Sequence, residues 1–148
     1  MIESKFIYIL LVIVAGVSVT FQNSINGALA SKTSTVFSVF WVFLIGTLII
    51  IPYLFISKTP FPTIQNLKEI PFHYYLGAIT GLIYVALVMI SIPKLGVAYT
   101  TALLIVSQIV ISLVIDRFGL LGAEVKYITI DKIMGSILMI IGVYYIGK

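Results

Sequence analysis

Charged side chains punctuate this sequence at long intervals. Residues 6–31, 33–57, 70–93, 95–115 and 133–147 carry none, and the apolar runs inside them show no two-residue alternation. Unbroken apolar runs of this length predict helices apolar on every side; half-exposed strands would alternate. A helix rises about 1.5 Å per residue, so roughly 20 apolar residues cross a bilayer. Four of the runs reach that length. The fifth spans only if the stretch 127–130 joins it, if Lys132 and Lys148 snorkel, or if the bilayer thins locally. Backbone groups in hydrocarbon must be satisfied within their own segment, which again selects helices. The pattern therefore predicts an all-α, polytopic integral membrane protein of one domain, 1–148, with five transmembrane helices at approximately 6–29, 35–56, 72–92, 97–115 and 132–147.

The connections are short. Pro60, Pro62 and Pro71 bracket the most hydrophilic one, whose stretch 63–70 is expected to form a short interfacial helix. Pro93-Lys94-Leu95-Gly96 reads as a tight turn, and the segment from Arg117 to Asp131, with Gly119 and Gly122, as irregular. The fifth helix is expected to be the least stable, with Tyr144 and Tyr145 near its interfacial end.

Composition agrees with the pattern. Of 148 residues 61% are apolar and 9% charged, with a mean hydropathy of +1.20. Soluble domains carry about 25% charged residues, so a water-soluble enzyme or binding module is excluded, as is disorder. The absence of cysteine removes disulfide and thiol chemistry. A net charge of +4 is scattered over helix ends, where anchors belong, and gives no nucleic-acid signal. Lys5, the apolar run behind it and Ala28-Leu29-Ala30 imitate a cleavable secretory signal; the length of the run and the spans that follow favour a retained first helix.

Five spans put the termini on opposite sides of the bilayer. The N-terminal face then holds Lys5, Lys58, Lys68, Arg117, Lys126 and Lys132, and the other face Lys32, Lys94 and Lys148. Six against three favours an N-inside orientation, but all five acids share the six-cation face, leaving net charges of +1 and +3. So weak a bias suits a chain inserted in both orientations, or one paired with an inverted sibling.

The candidate chemistry lies in polar residues that are costly in hydrocarbon. On the first span Ser18, Gln22 and Asn26 recur every four residues, with Asn23 beside them; each uncompensated amide costs roughly 2–7 kcal/mol in an apolar medium. The fourth span repeats the pattern with Thr101, Gln108, Ser112 and Asp116, with Gln108 near the midplane and Asp116 at one mouth. Two readings are open: a solute site, or interhelical hydrogen bonds worth about 0.6 kcal/mol each. Phe37, Phe40 and Trp41 form a short aromatic stripe able to cup an organic cation or simply to meet lipid. Gly77 with Gly81 and Gly135 with Gly142 read as close helix contacts, and His73 as an interfacial anchor.

The run Gly16-x5-Gln22-x3-Asn26-Gly27-x-Leu29, the pair Gly77-x3-Gly81, the turn Pro93-x-Leu95-Gly96-Val97-Ala98, the motif Gln108-x7-Asp116-x2-Gly119-x2-Gly122 and the closing Gly135-x6-Gly142-Val143 together resemble the half-length, YdcZ-like (EamB-type) branch of the drug/metabolite transporter superfamily. The chain departs from it at Phe72-His73-Tyr74-Tyr75-Leu76-Gly77-Ala78, where that family usually opens the span with a Trp and several glycines. The resemblance implies a bacterial inner (plasma) membrane location and five-helix halves working as antiparallel pairs. The partner is then a second copy in opposite orientation or an inverted sibling chain, with the solute site at the inverted-repeat axis. Each half would contribute its first and fourth spans, and the polar and aromatic stripes give Gln22, Asn26, Gln108, Ser18, Thr101, Ser112 and Trp41 as substrate-binding candidates. The related small multidrug exporters carry a Glu in the first span; here Gln22 is present and residues 6–31 hold no carboxylate. Coupling would then fall to Asp116, or the protein is a facilitator for a small polar or weakly cationic solute.

The rival reading is a non-transporting membrane subunit or assembly factor that uses the same amides as helix contacts. An enzyme is not expected: no Ser has a base in sight, and no Cys or His pair could hold a metal or attack a substrate. No cofactor is implied.

Overall fold

The computed structural model describes residues 2–148, with side chains from Lys5 onward. Among the described residues all regular structure is helical: α1 (Ile2–Lys32), α2 (Thr35–Ile56), α3 (Ile64–Glu69), α4 (Leu76–Leu95), α5 (Val97–Phe118) and α6 (Ile130–Ile146), with 3-10 turns at Phe72–Tyr75 and Leu120–Gly122. Four segments are long and apolar enough to cross a membrane: Lys5–Lys32, Thr35–Ile56, Phe72–Leu95 and Val97–Phe118. The fifth apolar run folds as α6, a helix of 17 residues that gains only Ile130 from the stretch before it. The chain divides into two compact units, 1–94 and 95–148.

In the first unit, Ser34 turns the chain between α1 and α2 and caps α2 by accepting a hydrogen bond from the Phe37 N–H at 3.2 Å. The Thr33 and Ser38 hydroxyls meet at 3.0 Å across this turn, and Ser38 is fully buried. α4 packs on α1 where Gly27 removes a side chain: a Cβ there would stand 2.8 Å from Ile92 Cγ2 and 3.0 Å from Ile92 Cβ. Asn23 meets Tyr84 further back along both helices. Residue numbers rise together across this contact, so α1 and α4 run parallel, as a first and a third span must. Thr63 caps α3 through the Asn66 N–H, and α3 occupies the expected interfacial stretch.

In the second unit, the turn before α5 differs from expectation. Pro93 and Lys94 lie within the last turn of α4, where Pro93 withholds one helical N–H from the preceding turn, and the break between α4 and α5 falls on Gly96. Gly96 has φ 79° and ψ 162°, a region closed to residues with a Cβ, and its carbonyl accepts from both the N–H and the hydroxyl of Thr100. α5 ends at Gly119 in the left-handed conformation, whose N–H returns to the Ile115 carbonyl. α6 runs back antiparallel along α5. Lys132 shares a groove with Asp116 at one end, and Gly147 lies against the Tyr99 ring at the other, where a Cβ would approach Cε2 to 2.5 Å.

Among the described residues only Val88, Met89 and Ile92 are buried hydrophobics, while long apolar faces of every span stay open. In water such a surface would aggregate; in hydrocarbon it is the solvated face. The predicted small-residue contacts are not made within the chain. A Cβ at Gly77, Gly81, Gly135 or Gly142 would meet nothing within 4 Å, and the close helix approach falls at Gly27.

Candidate functional site

The polar residues of α1 divide between two roles. Asn23 is 4% exposed and fully engaged: its amide donates to the Tyr84 hydroxyl at 3.2 Å and its carbonyl oxygen accepts from the same hydroxyl at 3.3 Å. Ser18 turns inward on its own helix, donating to the Val14 carbonyl at 2.9 Å. The side-chain hydrogen bonds of α1 start from Ser18, Thr20, Asn23 and Ser31. Gln22 and Asn26 therefore have no side-chain partner among the described residues. Gln22 is exposed, and Asn26 is 6% exposed.

Helix geometry explains the gradation. Each step of four residues turns about 40° beyond a full circle, so the two steps from Ser18 to Asn26 carry the stripe about 80° around the helix. Ser18 and Gln22 face outward, and by Asn26 the stripe has reached the face that packs on α4. The same drift puts Asn23, Asn26 and Gly27 on one packed face.

On α5 the candidates lie as the spacing predicts along the helix, but their environments differ. Thr100 and Ser107 bond to their own backbone at Gly96 and Leu103. Thr101 carries a buried hydroxyl with no partner, the one such buried side-chain atom among the described residues. Gln108 and Ser112 are exposed, and Asp116 is half-buried. Ser112 and Asp116 line an open groove of about 260 Å³ between α5 and α6, together with Ile109, Leu113, Lys132 and Met139. Arg117 stacks over Tyr127, 5.7 Å from its centroid, and the Lys126 N–H bonds the Asp116 carbonyl at 2.8 Å.

Trp41 stacks on Phe37 at 5.9 Å and 13° between planes, and Phe37, Phe40 and Trp41 are all exposed. His73 sits in the 3-10 turn at the head of α4, its ring 4.4 Å from that of Tyr74, as suits an anchor at the membrane surface. Tyr84 and Ser38 are the polar positions that the spacing did not single out. Tyr84 could have been found as the sole side chain with a polar tip between Gly81 and Ser91, for a buried phenol in a span needs a partner.

An all-helical chain with four membrane-length apolar helices and amides set within them is a multi-pass membrane protein, and its polar side chains are the only chemistry available inside the bilayer. The sequence model of the family described as "Putative inner membrane exporter, YdcZ" matches residues 7–145, and the chain belongs to that family. No curated protein and no solved structure gives a match.

Proposed function

We propose that the chain is one half of a transporter for a small polar or weakly cationic solute in the bacterial inner membrane, working as an antiparallel pair with a second copy or an inverted sibling. The observation that carries the reading is the split among the amides. Asn23 is spent on Tyr84, whereas Gln22, Asn26 and Gln108 have no side-chain hydrogen bond among the described residues. An amide withdrawn from water and left unpaired costs about 1–3 kcal/mol, which a bound solute, water or the opposite half would recover. Each amide offers both a donor and an acceptor, which suits a neutral polar or weakly cationic solute better than an anion.

Five crossings are supported by the course of α6. Its 17 residues cover about 25 Å, short for a span, yet its ends lie level with Asp116 and Tyr99, near the two ends of α5. If α5 crosses, α6 crosses beside it, and a thinned bilayer or snorkelling lysines absorb the difference. The odd count leaves the termini on opposite faces, as an antiparallel pair of halves needs.

The test is solute flux in proteoliposomes with Gln22→Leu and Gln108→Leu. Loss of one solute hydrogen bond of about 1 kcal/mol lowers transport roughly five-fold, while the apolar replacement leaves folding intact or improved. Well-folded Leu variants with normal flux would overturn the site. Coupling falls to Asp116, and Asp116→Asn is expected to shift the pH dependence of transport; an unchanged profile makes the protein a facilitator.

A further inference from the structure

The groove between α5 and α6 has a chemical order along its length. At one end stand Asp116 and Lys132, at the interfacial ends of their helices; one turn in comes Ser112; beyond lie Leu113, Ile109 and Met139. Both Asp116 to Ile109 and Lys132 to Met139 are seven residues, about 10 Å of helix, which is roughly two thirds of one leaflet's hydrocarbon depth. The two opposite charges line the same groove without pairing with each other among the described residues. Lys132 Nζ instead donates one bond to the Tyr127 carbonyl at 3.2 Å, which holds the ammonium at the mouth with donors to spare. Ser136 donates to the Lys132 carbonyl at 2.8 Å and so is already satisfied. Gly135 gives the groove its floor: a Cβ there would meet nothing within 4 Å.

We propose that this groove is a binding site for a zwitterionic phospholipid, its phosphate on Lys132, its ammonium on Asp116 and the upper part of one acyl chain laid over Gly135 towards Ile109 and Met139. The charges decide the class. An anionic headgroup would meet Lys132 but be repelled by Asp116, and a hydrocarbon chain alone would leave both charges unpaired at the groove mouth. A zwitterionic lipid brings both signs on one headgroup and a tail behind them, in the order the groove presents. The primary ammonium of phosphatidylethanolamine can donate hydrogen bonds to the carboxylate, which the quaternary group of phosphatidylcholine cannot, so the former is the better occupant. The groove shares Asp116 with the coupling reading, but its readout is lipid retained by the purified protein, so the two can fail separately.

Native mass spectrometry of the full chain, released from nanodiscs of equal phosphatidylethanolamine and phosphatidylglycerol, reads the site directly. Retained phosphatidylethanolamine is expected to exceed phosphatidylglycerol at least five-fold. Gly135→Leu sets its Cβ in open space and its side chain in the groove and is expected to abolish retention, while Gly142→Leu, on the same helix with an equally open Cβ position but outside the groove, keeps it. Asp116→Asn is expected to bring the two lipids to near equality. Equal retention of both lipids by the unaltered chain, retention undiminished in Gly135→Leu, or a second copy of the chain that Gly135→Leu alone releases would each overturn the proposal.

Discussion

Adding one methyl group at Gly27 tests how α1 and α4 are held together. The new Cβ would stand 2.8 Å from Ile92 Cγ2 and 3.0 Å from Ile92 Cβ. The second distance matters more, because Cβ is fixed to the α4 backbone and cannot swing aside as a chain end would. Overpacking of this kind costs typically about 1–3 kcal/mol. A helical Gly→Ala change by itself returns up to about 1 kcal/mol, so the net effect of Gly27→Ala could be small and would not by itself be informative. Gly16→Ala supplies the reference, since a Cβ there meets nothing within 4 Å. The difference between the two variants isolates the clash, and we expect Gly27→Ala to be less stable than Gly16→Ala by about 1–3 kcal/mol. Thermal or SDS-induced unfolding of the purified protein in one detergent measures it. Ile92→Ala removes the nearer contact, so the Gly27→Ala, Ile92→Ala pair should show a favourable coupling. Equal stability of the two alanine variants, or strictly additive effects in the cycle, would falsify the parallel α1–α4 contact.

Three further outcomes are expected. In a cycle of Asn23→Leu and Tyr84→Phe the coupling should be about 0.6–1.7 kcal/mol, with solute flux in the folded variants unchanged; a selective loss of flux would move Asn23 from helix contact to solute site. Insertion of leucines after Met139 should lower stability, because each inserted residue turns the rest of α6 by about 100° and withdraws Gly147 from Tyr99; an insertion that expresses and melts normally would mean that the α5–α6 register is dispensable. Orientation reporters fused to the C-terminus should give either signals from both sides or one clean orientation opposite to the N-terminus, and both termini on the same side would sink the five-crossing reading.

Much of the fold was legible because hydrophobic length is a one-dimensional signal. The four long charge-free runs fall on α1, α2, α4 and α5, and Thr63 and Ser34 announce helix starts as capping residues do. Boundaries were less legible where two signals compete. Pro93 looked like a turn, but α4 continues through it to Leu95 at the loss of one helical N–H, and the break comes at Gly96, whose positive φ no α-helix accommodates. The glycine pairs misled for a different reason. Spacing says that two glycines share a face, but not whether a helix of the same chain covers it, and Gly77, Gly81, Gly135 and Gly142 face open space. Gly27, which has no glycine partner one turn away, carries the close contact because Ile92 of α4 lies over it.

The polar stripe holds the same lesson in chemical form. Four-residue spacing grouped Ser18, Gln22 and Asn26 and set Asn23 aside, yet Asn23 is the residue that α4 satisfies and Gln22 the one left free. The distinction depends on Tyr84, 61 residues away, and no local pattern could supply it. Once that partner is known, Asn23 belongs to the helix contact, and the proposed solute site rests on Gln22, Asn26 and Gln108. The Asn23–Tyr84 pair fixes how two parallel spans meet, and the amides beside it are held at defined positions by a contact that does not consume them. A solute site needs such an arrangement: free donors and acceptors on a helix whose placement is secured by other side chains.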